Sequence, residues 1–439
     1  MRTHVRVLCS LLTLVLFFLM LPQMQGQTPT PIPTTPLRLF KNYFVTGGYV
    51  VGSVGLRGKG DATGYTTGQT ITIPDQTVSP VTGTMQVNTG RVPDGAEVVA
   101  AFLYWQTVEA TSTSTEGKIG KFNNYQITGV PLQTTGPVSW SAGGCIGASN
   151  GTKTLVTYRA DVRPFLNIDA NENVNANGTF KVELRDSGSN GAGVPITLGA
   201  SLVVVYRVLA DTADYPLTSV VLYDGTYAPN NSASTFTEAL YGYYQAADTP
   251  TAKITHIVGN GQDNKLETAT LNGATLDTLY PGFPPFPGFY NDSWDSPTWN
   301  VSGTLNSEYV TAAVTPSSSN SGCVDWGAIV MSTRVKDSDG DGLLDAWEDA
   351  HQYVDYENNE IVKLPGAING QKDLFAEIDW FQNLDQLAGS YRHSHLPKQE
   401  AIDKVGKAFD NAGIKVHFDV GNASSLVCQQ SFGSGVVAR

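Results

Sequence analysis

From Leu37 to Val335 the apolar positions cluster in short runs of β-branched and aromatic residues, with no sustained spacing of three to four. Glu97 to Trp105, Thr154 to Tyr158, Thr179 to Leu184, Ala200 to Val208, Thr218 to Tyr223, Ala252 to Val258 and Gly327 to Val335 are such runs. Clusters of Gly, Asn, Asp and Pro separate them, which is the signature of strands joined by turns. No helical pattern alternates with them, so residues 37–335 are expected to form an antiparallel β-sandwich or jelly roll in a mainly β chain. Only Ser234 to Tyr244 reads as a helix, and no repeat of fixed length is visible.

The pattern changes after Gln371. Leu374 to Trp380 predicts a strand, Pro397 to Ala412 a helix, and Ile414 to Val420 a second strand, together a β-α-β unit over 371–421. Pro397 is expected at the helix start, where its missing N–H costs nothing, and Gly413 at the end. Ile402, Val405, Phe409 and Ala412 form the predicted buried stripe. Leu374, Ala376, Ile378 and Trp380 share one face of the first strand, and Ile414, Val416, Phe418 and Val420 one face of the second. These faces are expected to meet the helix. Glu377, Asp379, His417 and Asp419 then lie on the other face, an odd surface to leave bare. Two strands make a marginal sheet, so the unit is expected to be incomplete before the Ser- and Gly-rich tail, 422–439.

Between these regions, within 336–351, lies Asp337-Ser338-Asp339-Gly340-Asp341-Gly342-Leu343-Leu344-Asp345-Ala346-Trp347-Glu348. A twelve-residue calcium loop supplies oxygens from positions 1, 3, 5, 7, 9 and 12. Those positions hold Asp337, Asp339, Asp341, the Leu343 carbonyl, Asp345 (often through a water) and Glu348, and Gly342 stands at the sixth, where the turn is sharp. The alternative, a solvated acidic turn, leaves this density of carboxylates without a cation to offset its repulsion. Leu344, Trp347 and His351 fall on one face of the expected exit helix. Asp355 to Glu360 is also acidic but lacks the glycine and the alternating Asp, so no calcium site is expected there.

The chain has 439 residues, enough for several hydrophobic cores, and its net charge of −13 disfavours nucleic acid as a partner. Met1 to Arg6 is basic and Val7 to Leu21 apolar, followed by a polar exit to Gly26, which describes a secretory signal peptide over 1–26. The apolar run is shorter than the roughly 20 residues that span a bilayer, so no stable membrane insertion is expected after cleavage. A Thr/Pro-rich linker follows over 27–36. Outside the cell disulfides form; Cys145 and Cys323, in Gly/Ser-rich turns of one predicted domain, are the expected pair, with Cys428 left over.

Tyr280 to Asn300 interleaves Phe283, Phe286, Phe289, Tyr290, Trp294 and Trp299 with Asp292 and Asp295. It reads either as a sugar-stacking surface with a carboxylate pair or as a Pro-rich loop whose aromatics cap the core, and the second is preferred. His393 and His395 point to one side of an extended chain but lack a third metal ligand at motif spacing. The strand before the calcium loop carries no Gly-x-Ser-x-Gly elbow and no phosphate-binding glycine loop.

The run Asp337 to Glu348 resembles the calcium repeats of thrombospondin type 3 and similar bacterial secreted proteins. Lys372 to Trp380, His393-Ser-His395-Leu-Pro397 and Gly413 to Gly421 look like the opening part of a domain that follows such loops in large bacterial exoproteins. In longer relatives that domain looks like a zinc metallopeptidase of the zincin type. This chain departs from that pattern because it contains no His-Glu-x-x-His, so no zinc ligand or catalytic residue carries over. The leading expectation is a secreted calcium-binding β-rich protein in which a structural ion orders an inter-domain junction, with no catalysis in the chain as given. The alternatives are the N-terminal portion of a secreted zinc metallopeptidase, and an adhesin or carbohydrate-binding exoprotein with glycans or cell-surface proteins as partners.

Overall fold

A computed structural model describes residues 36–419 except 61–63, 67, 74–77, 80–82, 85–89, 133–137, 140–152, 169–173, 210–214, 230–233, 247, 249, 264, 277–282, 289–293, 304, 306–309, 317–323, 380–381, 384–392 and 395. The expected signal peptide, most of the expected linker, the expected tail and the cysteines of the expected pairing lie outside the described residues.

The longer strands of the first region are β1 (Leu37–Gly55), β2 (Thr70–Ile73), β3 (Glu97–Glu109), β4 (Ile119–Phe122), β5 (Tyr125–Thr128), β6 (Thr154–Asp161), β7 (Gly178–Glu183) and β8 (Ile196–Arg207). They continue with β9 (Leu217–Tyr227), β10 (Phe236–Leu240), β11 (Thr251–Gly259), β12 (Glu267–Leu271), β13 (Thr298–Ser302), β14 (Val310–Pro316) and β15 (Asp325–Arg334). All pair antiparallel, and the chain is mainly β, as its residue pattern predicts. β10 overturns the helix expected over Ser234 to Tyr244. It pairs with β14 in register from Phe236 opposite Val314 to Leu240 opposite Val310, and Phe236 and Leu240, two pleats apart, enter the same core.

β1 is the backbone of the sandwich. Its first half, Leu37 to Thr46, pairs with β9, and its second half, Gly47 to Gly55, pairs with β8, so one strand belongs to two sheets. Glycines let it do so. A Cβ at Gly47 would stand 2.4 Å from the Tyr206 carbonyl oxygen, and one at Gly52 would stand 2.8 Å from Ile71 and Thr72. The same glycines interrupt the apolar run and hide the strand from a sequence reading.

The two sheets stack, and period-two alternation assigns each strand's faces. Ala100, Phe102 and Tyr104 of β3 and Val203 and Val205 of β8 meet Val220 and Leu222 of β9 and Ala328 and Val330 of β15 in a central core. Ala101, Leu103 and Trp105 of β3 turn outward onto the small sheet β2-β7-β4-β5, and Val221, Tyr223, Ile329 and Met331 onto the small sheet of β10, β14 and β12. Strands covered on both faces need no polar face, which is why they read as continuous apolar runs.

After β15 come α1 (Asp345–Ala350), the hairpin β16 (Gln352–Asp355) and β17 (Glu360–Lys363), β18 (Lys372–Glu377), α2 (Gln399–Asp410) and β19 (Ile414–Asp419). Trp347 of α1 sits edge-on to Phe44 at 5.0 Å and to Tyr244 at 5.4 Å, and stacks on Tyr353 at 4.6 Å. Val335, Leu344, Leu364 and Ala367 complete this fourth core. His351 does not join it, because it is the exposed left-handed residue that caps α1. At the hairpin tip Glu357 reaches back to β1, accepting from Lys41 Nζ at 2.7 Å and from the Asn42 amide at 2.8 Å. β18 and β19 pair in parallel, from Lys372 opposite Ile414 to Glu377 opposite Asp419. α2 begins after Pro397, with Lys398 at its cap, and Gly413 turns the chain at φ +76°. Of the predicted stripe Ile402 is buried and Phe409 partly so, whereas Val405 is 46 % exposed and Ala412 is exposed. Among the described residues no helix is long and apolar enough to cross a membrane.

Candidate metal centre

The Asp337 to Glu348 loop is tied by its own side chains. Asp337 accepts from the Gly340 amide at 2.7 Å and the Gly342 amide at 2.9 Å, and Asp341 accepts from the Leu343 amide at 2.7 Å. Gly340 and Gly342 take φ of +73° and +96°, backbone that glycine adopts without strain. These turns aim the early aspartates inward. One carboxylate oxygen each from Asp337, Asp339 and Asp341 lie within 4.8 Å of one another.

Asp345 is placed differently from the other predicted ligands. Its Oδ1 accepts from the Ser338 amide at 2.7 Å, and its Oδ2 accepts from the Ser338 hydroxyl at 2.8 Å and lies 3.3 Å from Lys336 Nζ. Burial works to raise its pKa, but the Ser338 and Lys336 contacts outweigh burial and hold it below the usual carboxylate range. Asp345 therefore braces the loop against the start of α1.

Glu348 closes the loop from α1, and Asp373 enters from β18. Oxygens of Asp341, Glu348 and Asp373 also lie within 4.8 Å of one another. Glu348 is fully buried, and neither of its oxygens accepts a hydrogen bond. Burial, then the charges of Asp339, Asp341, Asp373 and Asp345, push the Glu348 carboxyl up to about 8. Asp339 is raised by burial and then by Asp341 and Asp337, which outweigh the lowering by backbone hydrogen bonds from Asp341 and Gly370. Buried carboxylates without donors call for a cation, because desolvating an unpaired charge costs several kcal/mol, roughly, per ion. The donors are all oxygens, the set that hard divalent cations prefer.

Asp373 is the residue the loop pattern misses, since it follows Glu348 across a hairpin. A sequence signal exists in the polar face of the two parallel strands. Asp373 and Asp419 on that face are buried, and Phe375 stacks on His417 at 4.4 Å, while Glu377 and Asp379 are exposed. The polar face is thus the one that docks on the loop, and Leu374, on the opposite face, is 42 % exposed.

The other candidates separate cleanly. Phe286, Trp294 and Trp299 are buried, and Trp294 donates to Ser201 Oγ at 2.9 Å, so these rings cap the core and offer no sugar-stacking platform. Asp295 is buried and accepts from the Gly288 amide at 2.8 Å; Asp292, Phe289 and Tyr290 lie outside the described residues. His393 pairs with Asn383 in a two-residue strand, and His395 lies outside the described residues.

No family model and no curated protein matches the chain. Among solved structures, a glycoside hydrolase in complex with neoagarooctaose is similar at 13% identity and a TM-score of 0.22, over 54% of this chain and 33% of that one. An insecticidal delta-endotoxin from Bacillus thuringiensis is similar at 11% identity and a TM-score of 0.17, over 68% of this chain and 54% of that one. Infectious bursal disease virus, Gt strain, is similar at 14% identity and a TM-score of 0.18, over 71% of this chain and 76% of that one. The chain spans about a third of the length of the first and about half of the second. At these scores the likenesses assign no function.

Proposed function

We propose that this is an exported β-rich protein that binds a structural calcium ion, and that the ion orders the connection between the sandwich and the β-α-β unit. The observation that carries the reading is Glu348, a fully buried carboxylate whose two oxygens make no hydrogen bond and lie among other carboxylates. Asp337, Asp339, Asp341, the Leu343 carbonyl and Glu348 would hold the ion, with Asp345 bracing the loop. Spacing favours calcium over magnesium, since six to eight oxygens from one loop suit the larger ion, whereas magnesium keeps much of its water. Extracellular calcium modules bind at about 10⁻⁴ to 10⁻³ M, which suits an ion that is always present outside the cell. Export rests on the basic start and the apolar run from Val7 to Leu21.

An ion that binds only the folded form stabilises it by RT ln(1 + [L]/Kd), about 2.7 kcal/mol at a hundredfold excess over Kd. Calcium should therefore raise the melting temperature over that in chelator. Glu348→Gln should melt higher than the parent in chelator, because repulsion is relieved, and should lose most of the calcium response. Superimposable melting curves of the parent in calcium and in chelator would overturn the reading.

A further inference from the structure

We propose that Asp373 is a calcium ligand contributed from outside the loop, so that the ion that fills the loop also docks the first strand of the β-α-β unit. This rests on the calcium reading and extends it to a residue that the loop pattern does not contain.

Three separate segments meet at one point. Asp341 belongs to the loop, Glu348 to α1 and Asp373 to β18, and their carboxylate oxygens lie within 4.8 Å of one another. Glu348 is fully buried with both oxygens unpartnered, and Asp373 is 4 % exposed. Glu348 has no donor to offset its charge, and the donors on Asp373 leave that carboxylate still facing it, so a cation held by the loop alone would leave the two buried against each other. The strand backbone is already fastened to a loop ligand, because the Asp373 amide donates to Asp341 Oδ2 at 2.6 Å.

The Asp373 side chain is oriented as metal ligands are, by donors behind it. The Ile368 amide donates to its Oδ2 at 2.9 Å, Gln371 Nε2 donates to its Oδ1 at 3.2 Å, and His417 Nε2 lies 2.6 Å from Oδ1. His417 is on β19, so the contact chain runs from the ion through Asp373 to both strands. Glu348 follows Trp347, which is packed on Phe44 of β1, so the same chain runs back to the sandwich. Ion binding and docking of the β-α-β unit are then linked and reciprocal.

The test uses the full chain stripped with chelator and calcium as the only added probe. Calcium affinity is measured by titration calorimetry, and hydrogen exchange is followed at Lys372–Glu377 and Ile414–Asp419. The parent should gain protection in both strands on calcium addition, and Asp373→Asn should bind calcium about 10- to 100-fold more weakly and lose that gain. Asp379→Asn, which removes an exposed carboxylate from the same unit, should bind within about threefold of the parent, as screened surface charges do. Parent-like affinity in Asp373→Asn overturns this inference and leaves the loop site standing. If Asp373→Asn fails to fold, the parent alone decides, since calcium protection confined to the loop and α1 overturns the inference equally. A parent that binds no calcium overturns the function proposed above, and this inference with it.

Discussion

Glu109 in the sandwich and Glu348 in the junction are the same residue type and are both fully buried, yet their surroundings are opposite. Glu109 accepts from Thr107 at 2.8 Å, Ser114 at 2.8 Å, the Gly117 amide at 2.9 Å and Tyr158 at 3.1 Å. Glu348 accepts from nothing and faces other carboxylates. Asp224 repeats the first arrangement, between Tyr104 and Arg159. A buried charge surrounded by donors is complete in itself; one surrounded by like charges is half of a site. The sandwich should therefore be indifferent to ions, and the junction should depend on them.

The largest effect should come from the sandwich core. Trp105 is buried, stacks on Tyr158 at 5.5 Å and donates to the Gly117 carbonyl at 2.9 Å. Trp105→Ala should cost about 3–5 kcal/mol in a denaturant titration, and the same amount in calcium and in chelator. A loss that calcium repairs would break the comparison.

Next, the two glutamates should answer the same substitution with opposite signs. Glu109→Gln leaves donors without a charged acceptor and should destabilise by about 1.5–3 kcal/mol, whereas Glu348→Gln in chelator should stabilise. Matched destabilisation of both would show that Glu348 has donors after all.

The pH dependence should diverge as well. Burial pushes the His256 imidazole from 6.5 down to about 3, so below 6.5 the unfolded chain takes up a proton that the fold refuses, and the sandwich loses stability as pH falls toward 3. Burial and its acidic neighbours push Glu348 from 4.5 up to about 8, so across that window the ion-free fold keeps a proton that the unfolded chain has released. The junction in chelator then loses stability as pH rises from 4.5 to 8. Hydrogen exchange of α1 between pH 5 and 8, corrected for the intrinsic rate, should show that loss in the parent and not in Glu348→Gln.

The smallest effect should be at the hairpin tip. Glu357 is partly exposed in its ion pair with Lys41, so Glu357→Gln should cost roughly 0.2–1 kcal/mol and less at high salt. A larger loss in thermal melts would mean that this contact, as well as the proposed calcium site, holds the junction to β1.

The strands that sequence reading identified are those whose apolar runs are unbroken, such as β3, β8 and β15. β1 was missed because Gly47, Gly48 and Gly52 look like turn residues in sequence, although here they admit neighbouring backbone and side chains too close for a Cβ or keep the strand running between two sheets. β10 resists a sequence reading because a five-residue strand between Thr235 and Tyr241 carries too few pleats to distinguish period two from 3.6. Of the candidate site, Asp337, Asp339, Asp341 and Glu348 were legible because loop ligands follow a fixed local spacing. The bracing role of Asp345 was not, since it depends on where Ser338 and Lys336 turn.

By itself the sequence determined what neighbours along the chain can determine: the β-rich class, the parallel pair β18 and β19 around a helix, and an oxygen-lined loop with glycines at its turns. Only the tertiary structure decided that two sheets share β1, that Trp294 and Trp299 face inward, that Glu348 is cut off from water, and that Asp373 stands beside it. The physical reason is range. Periodicity and spacing record contacts made within a few residues, whereas burial and charge crowding arise from segments brought together by the packing of whole sheets, which no local pattern contains.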